Sequence, residues 1–174
     1  MADDVLEPAF RAPDGWQIVD RGLDRHGVAD AEKSVAVYNN FAYREAGDKA
    51  PPARWTFRGL PPDDYRIYVT WPFSEPAEGY RSPNTENACY TVTDGAHIEH
   101  ISAAVNQQKS PRDHAAGGKS DNRLGRPWLR IGEDIHVSAA EGSEDGTGQM
   151  VITLEGEDGG RLVADAVCIE RVAK

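Results

Sequence analysis

The chain is short of cysteine, of basic charge and of long apolar runs, and each shortage excludes a class of protein. Two cysteines in 174 residues, Cys89 and Cys168, exclude a disulfide framework. A single bridge between them requires that their strands lie side by side, and free buried cysteine is common. No window approaches the roughly 20 consecutive apolar residues of a membrane span. Nineteen basic side chains against 29 acidic ones leave a formal charge of -10, a surface that repels phosphate backbones and anionic lipid head groups. No basic run with interleaved aromatics offsets that charge, so nucleic acid is disfavoured as a partner. The opening MADDVLEPAF carries acids where a signal peptide needs lysine or arginine and then an apolar run. Either the protein stays inside the cell or the chain is a module of a larger secreted protein. Helical periodicity is scarce as well, and no long amphipathic helix can be drawn anywhere.

What the chain does have is alternation and punctuation. Its 17 glycines and 11 prolines break it at short intervals, as an all-β protein requires. Within WTFRGLPPDDYRIYVTWP (55–72), Trp55 and Phe57 alternate with Thr56 and Arg58. Tyr65, Ile67, Val69 and Trp71 alternate in the same way with Arg66, Tyr68 and Thr70. Period-two alternation of β-branched and aromatic residues marks two half-buried strands, and the glycine and proline pair between them favour a turn. The unit reads as β-hairpin-like, with its aromatics candidates for the core.

Further strands are expected at GWQIVD, with Trp16 and Ile18 on one face, and at 34–45, where strand is favoured over a short helix. Others fall at 89–95 with Tyr90 and Val92 inward, at 97–107 after a DG turn, and at 128–132, 135–140, 148–156 and 162–172. Many short strands without a helical layer imply two packed antiparallel sheets, a sandwich or jelly roll, as one domain over 1–174. Two long polar segments, 72–88 and 108–126, interrupt the pattern. Segments of that length are usually functional or disordered, so a binding site is expected there.

WTFRGLPPDDYRIYVTWP, then ACYTVTDG, VNQQKSP, WLRIG and LVADAVCIE stand in an order that resembles the golvesin-type or xanthan-lyase C-terminal domain, over about residues 53–172. The resemblance implies a jelly-roll sandwich of the galactose-binding-like kind. It further implies a non-catalytic accessory module of extracellular enzymes and surface proteins, whose partner is a polysaccharide or other glycan. The chain departs from that pattern at Asp63-Asp64, which replace a glycine-containing turn, at Cys168 in place of arginine, and in an enlarged segment between Asn106 and Trp128. A second reading, from a different class, is a structural or assembly module that contacts other protein domains or subunits.

Sugar-binding modules of this shape stack pyranose rings on open tryptophan or tyrosine and bond hydroxyls through amides and carboxylates. Trp71, at a strand end, and Tyr80, within the first long segment, are the best-placed aromatics; Trp128 follows the second segment. Trp71 also shares a face with Ile67 and Val69, which favours burial, and Trp55 is a core residue. Asn106 and Gln107 end a strand, where amides either read hydroxyls or hold backbone groups. Asp165 lies between alanines in an apolar strand and must be paired, solvated or bound to metal. With Asp3 and Asp4 it forms a candidate calcium site, although calcium takes six to eight oxygens and these residues supply only part of that number. His97 and His100 lack a third ligand for zinc. Ser110, Asp113, His114 and Asp121 hold triad chemistry without a nucleophile elbow, so catalysis is not expected.

Overall fold

A computed structural model describes residues 9–11, 13–20, 40–45, 50–73, 78–96, 99–114, 120–123, 126–142, 144–156 and 159–172. Twelve strands run through them: β1 (Ala9–Arg11), β2 (Gln17–Asp20), β3 (Asn40–Arg44), β4 (Ala53–Leu60), β5 (Asp63–Thr70) and β6 (Ala88–Asp94). They continue as β7 (Glu99–Val105), β8 (Ser120–Arg123), β9 (Arg126–Val137), β10 (Gly148–Glu155), β11 (Leu162–Ala164) and β12 (Ala166–Arg171), with a single 3-10 turn at Pro111–Asp113. The strands form three antiparallel sheets, ordered β1-β4-β10-β6-β7, β12-β5-β9-β8 and β11-β3-β2. The protein is thus all-β, its sheets packed in the manner of a β-sandwich.

One apolar cluster draws from all three sheets. Trp55 and Phe57 of β4, Tyr90 and Val92 of β6 and Ile152 and Leu154 of β10 face Tyr65, Ile67 and Val69 of β5 and Leu129 and Ile131 of β9. Ala42 of β3 and Leu162 to Ala164 of β11 close it. Each such side chain contributes roughly 1.5–3 kcal/mol by leaving water. Residues one position away in a strand point to the other face, and on β5, β9 and β12 this puts Tyr68, Trp128, Ala166 and Cys168 together. They form a second, smaller buried cluster.

The sandwich corrects several local expectations. β4 and β5 are not a hairpin: β4 is flanked by β1 and β10, and β5 by β12 and β9, so neither has an edge free for the other. Alternation is the same in a hairpin and in a crossing between sheets. Here Gly59, at φ +69°, and the Pro61-Pro62 pair, which lacks ladder donors, take the chain from one sheet to the next. The segments 128–132 and 135–140 belong largely to one long strand, β9, interrupted by a bulge. Tyr65 pairs with Ile135 and Ile67 with Ile131, so Gly132, Glu133 and Asp134 oppose Arg66 alone. Gly132 has φ +62°, and a β-carbon there would lie 2.6 Å from Cγ1 of Ile101.

Conversely, 162–172 is two strands. The chain leaves the β11 sheet at Asp165 and joins β5 as β12. Trp16 precedes β2 and is buried, its Nε1 donating to the Pro51 carbonyl at 2.9 Å, whereas Ile18 is 69% exposed. The two do not share a buried face, because β2 is the edge of a three-stranded sheet. The hairpin of β6 and β7, with Tyr90 and Val92 inward, is as expected. Residues 34–39, 97 and 98 of the expected strands lie outside the described residues.

Candidate functional site

Strand direction gathers the expected site at one end of the sandwich. β5 and β7 end there, and β9 and β12 begin there, since Thr70 pairs with Ala166 and Val69 with Leu129. Trp71, Asn106, Gln107, Trp128 and Asp165 are therefore carried to the same end, along with the chain on either side of Tyr80. Asp3 and Asp4 lie outside the described residues.

Convergence does not make these side chains accessible. Trp71 is only 2% exposed; its Nε1 donates to the Lys109 carbonyl at 2.9 Å, and the His114 ring meets it edge-on at 6.1 Å. The segment after β7 folds over the indole and leaves it no open face for a sugar ring. Trp128 is equally buried, in the smaller cluster with Tyr68 and Cys168. Tyr80, by contrast, is 76% exposed.

Gln107 is completely buried. Its Nε2 donates to the Val163 carbonyl at 2.7 Å while its Oε1 accepts from the Val163 N–H at 2.9 Å. A side chain thus supplies the pairing that a neighbouring strand would give β11. Its own N–H donates to the Thr85 carbonyl and its carbonyl accepts from Asn84 Nδ2. Gln108 Nε2 donates to the Asn84 carbonyl at 3.0 Å, and Asn106 Oδ1 accepts from the Gln108 N–H at 2.9 Å. The amides of this V-N-Q stretch bond protein rather than a ligand.

The same bonds fix the base of the loop that bears Tyr80. Thr85 N–H donates to the Arg161 carbonyl and Arg161 N–H to the Pro83 carbonyl, both at 2.8 Å. Hydroxyls complete the turn: Ser82 Oγ accepts from the Asn84 N–H and Thr85 Oγ1 from the Asn87 N–H. Beside it, the Arg161 guanidinium lies 4.5 Å from the Tyr43 ring centroid and pairs with Glu45 at 2.8 Å. The loop therefore presents an open phenol on a rigid base.

Asp165 is half-buried where the chain changes sheets. Its charge reaches Tyr90, whose phenol is pushed up from its ordinary value first by burial and then by Asp165, while a bond from Gln107 acts against both. No group of three or more His, Cys, Asp or Glu side chains among the described residues is arranged around a common metal position. Cys89 and Cys168 are not joined in a disulfide and stand on strands of different sheets.

Of the four residues with triad chemistry, two have structural roles. Ser110 Oγ accepts from the Arg112 N–H and caps the 3-10 turn. His114 Nε2 accepts from the Asn106 N–H at 2.8 Å. Sequence reasoning does not single out Asn84, Thr85 and Arg161, which hold the loop base. The stretch SPNTEN is rich in residues that bond their own backbone, and this was the available signal for a structured turn. The chain matches no protein-family model and no curated protein.

Proposed function

We propose that the chain is a non-catalytic glycan-binding module of jelly-roll, galactose-binding-like topology, similar to the golvesin or xanthan-lyase C-terminal domain. The observation that carries this reading is Tyr80: a phenol 76% exposed on a loop whose base is pinned through Asn84 and Thr85. A rigid aromatic with a polar tip loses little conformational freedom on stacking against a sugar. Trp71 and Trp128 then act behind the surface, as the packing that holds the loop end, and Asn106 and Gln107 as its bonds. Calcium, if it contributes, enters through Asp165 and the N-terminal acids as a structural ion.

The test is a glycan array probed with the protein and with Tyr80→Ala, each with calcium and with chelator. Binding by the parent that Tyr80→Ala loses supports the reading, and dependence on calcium adds the ion. Binding unchanged by the substitution removes Tyr80 from the site, and no binding to any glycan by a folded protein overturns the function.

A second reading, an assembly module, is favoured by Ile18, 69% exposed on the edge strand β2. An exposed β-branched residue on the strand that ends the described sheet suits a protein contact. Light scattering separates the two: a concentration-dependent oligomer that Ile18→Lys dissolves belongs to assembly.

A further inference from the structure

His114 receives a hydrogen bond that only a neutral imidazole can accept. The Asn106 N–H points at Nε2 from 2.8 Å, so Nε2 carries the lone pair and the ring proton resides on Nδ1. Around this bond the segment 106–114 is drawn closed. Lys109 N–H donates to the Asn106 carbonyl, Asp113 N–H to the Ser110 carbonyl, and the Lys109 carbonyl takes the Trp71 indole N–H. The His114 ring also stands perpendicular to the indole, at 87°.

We propose that His114 is a pH-sensitive latch on the segment 106–114, closed when its imidazole is neutral and released when the ring is protonated. A proton on Nε2 places an N–H against the Asn106 N–H, turning an attraction into a clash of donors.

The groups around the ring act in the same direction. Partial burial lowers the imidazole's affinity for a proton, and the Lys109 ammonium lowers it further. Arg112 and Asp113, in the adjoining turn, are exposed. Just past the end of β5 the neighbour is the uncharged Trp71. β9 also packs against the turn, and its described charged or titratable groups are Arg130, Glu133, Asp134 and His136, with Arg130 held by Asp134 at 2.7 Å and His136 beside Asp64 at 2.8 Å. β8 packs there as well and contributes no described side chain.

The sign follows from linkage. The folded state binds this proton less readily than the unfolded chain, whose imidazole titrates near 6.5. The latch's contribution to stability is therefore complete above that value and is lost as pH falls through the lowered folded value. This inference is independent of glycan binding, since the latch closes a loop whatever the end of the sandwich contacts.

The experiment is an NMR titration of the whole chain between neutral and mildly acidic pH. It follows the His114 ring protons, the Asn106 amide and the Trp71 indole N–H. The expected result is one shared midpoint below that of a free histidine, with Asn106 losing its hydrogen-bonded shift and its exchange protection on the acid side. His114→Gln, whose side-chain oxygen accepts without titrating, should keep the neutral-pH shifts of Asn106 and abolish their pH dependence. An Asn106 amide indifferent to the His114 titration overturns the latch, as does a His114 midpoint at or above the ordinary value. The wild-type titration decides the matter even if the variant fails to fold.

Discussion

The side chain of Gln107 and the backbone of Val163 form a closed pair: Nε2 to carbonyl at 2.7 Å, and N–H to Oε1 at 2.9 Å. Val163 is on β11, which has β3 on one side and, among the described residues, no strand on the other. Without Gln107 the buried N–H and carbonyl of Val163 would face the core with no partner of this kind. The amide thus joins the end of the β6–β7 hairpin to the strand that precedes the sheet change at Asp165.

Gln107→Ala is expected to cost about 2–4 kcal/mol, because each buried backbone group left unsatisfied costs about 1–3 kcal/mol. Gln107→Glu should be no better at neutral pH, since it removes the donor and places a completely buried carboxylate against the Val163 carbonyl. Urea unfolding of both variants checks this. A loss below about 0.5 kcal/mol, the range of ordinary surface changes, would show that water replaces the amide.

Trp55 and Trp71 are expected to behave alike in stability. Trp55 is 1% exposed and Trp71 2%, so each truncation to alanine should cost about 3–5 kcal/mol. Trp71→Ala additionally strands the Lys109 carbonyl. Acrylamide should quench neither indole efficiently. Selective quenching of Trp71, read with the other tryptophans replaced by phenylalanine, would reveal a segment 106–114 that opens readily in solution.

How much of this was legible beforehand depends on what each signal encodes. Alternation along 55–71 marks which residues face inward, and Trp55, Phe57, Tyr65, Ile67 and Val69 are indeed core. It carries no information about which strand lies alongside, so a crossing between sheets at Pro61-Pro62 looks the same as a hairpin. Bulges are hidden for a related reason: the pattern breaks after Gly132 and divides 128–132 from 135–140, while in β9 the break is a local widening opposite Arg66. Burial of Trp71 and Gln107 was the harder problem. Both are polar-tipped residues at strand ends, where a ligand and a folded-back segment offer the same hydrogen bonds. Only the three-dimensional course of 106–114 distinguishes the two.

Gly160 tests the loop base from the opposite side. A β-carbon there would collide with the Thr85 Cα and stand 2.7 Å from its nitrogen and 2.8 Å from the Asn84 oxygen. These are backbone atoms in the bridge between Asn84 and Arg161, so they cannot swing aside. Gly160→Ala should cost about 1–3 kcal/mol, as overpacking does, and should increase proteolytic nicking between residues 78 and 87. Gly159→Ala is the control, since its β-carbon meets nothing within 4 Å. Equal effects from the two would mean that backbone entropy, rather than the close approach, sets the result.

Alkaline pH probes the centre of the core through Tyr90. Its phenol is 1% exposed, and burial raises its affinity for the proton above the ordinary 10.0, with the Asp165 charge adding to the shift. Tyr65 is shifted in the same direction, chiefly by burial. A phenol that holds its proton more tightly in the folded state stabilises that state fully below 10.0 and loses the contribution as pH rises toward the folded value. Unfolding should therefore set in on the alkaline side, and the tyrosinate absorbance of Tyr90 should appear only with loss of the fold. Tyr90→Phe keeps the ring, gives up a long 3.5 Å bond from Gln107 and removes the ionisable group. It should push the alkaline transition to higher pH while changing stability at neutral pH by less than about 1.5 kcal/mol, the net worth of an ordinary hydrogen bond. An unchanged alkaline midpoint in Tyr90→Phe would assign the transition to another group, with Tyr65→Phe the next variant to measure.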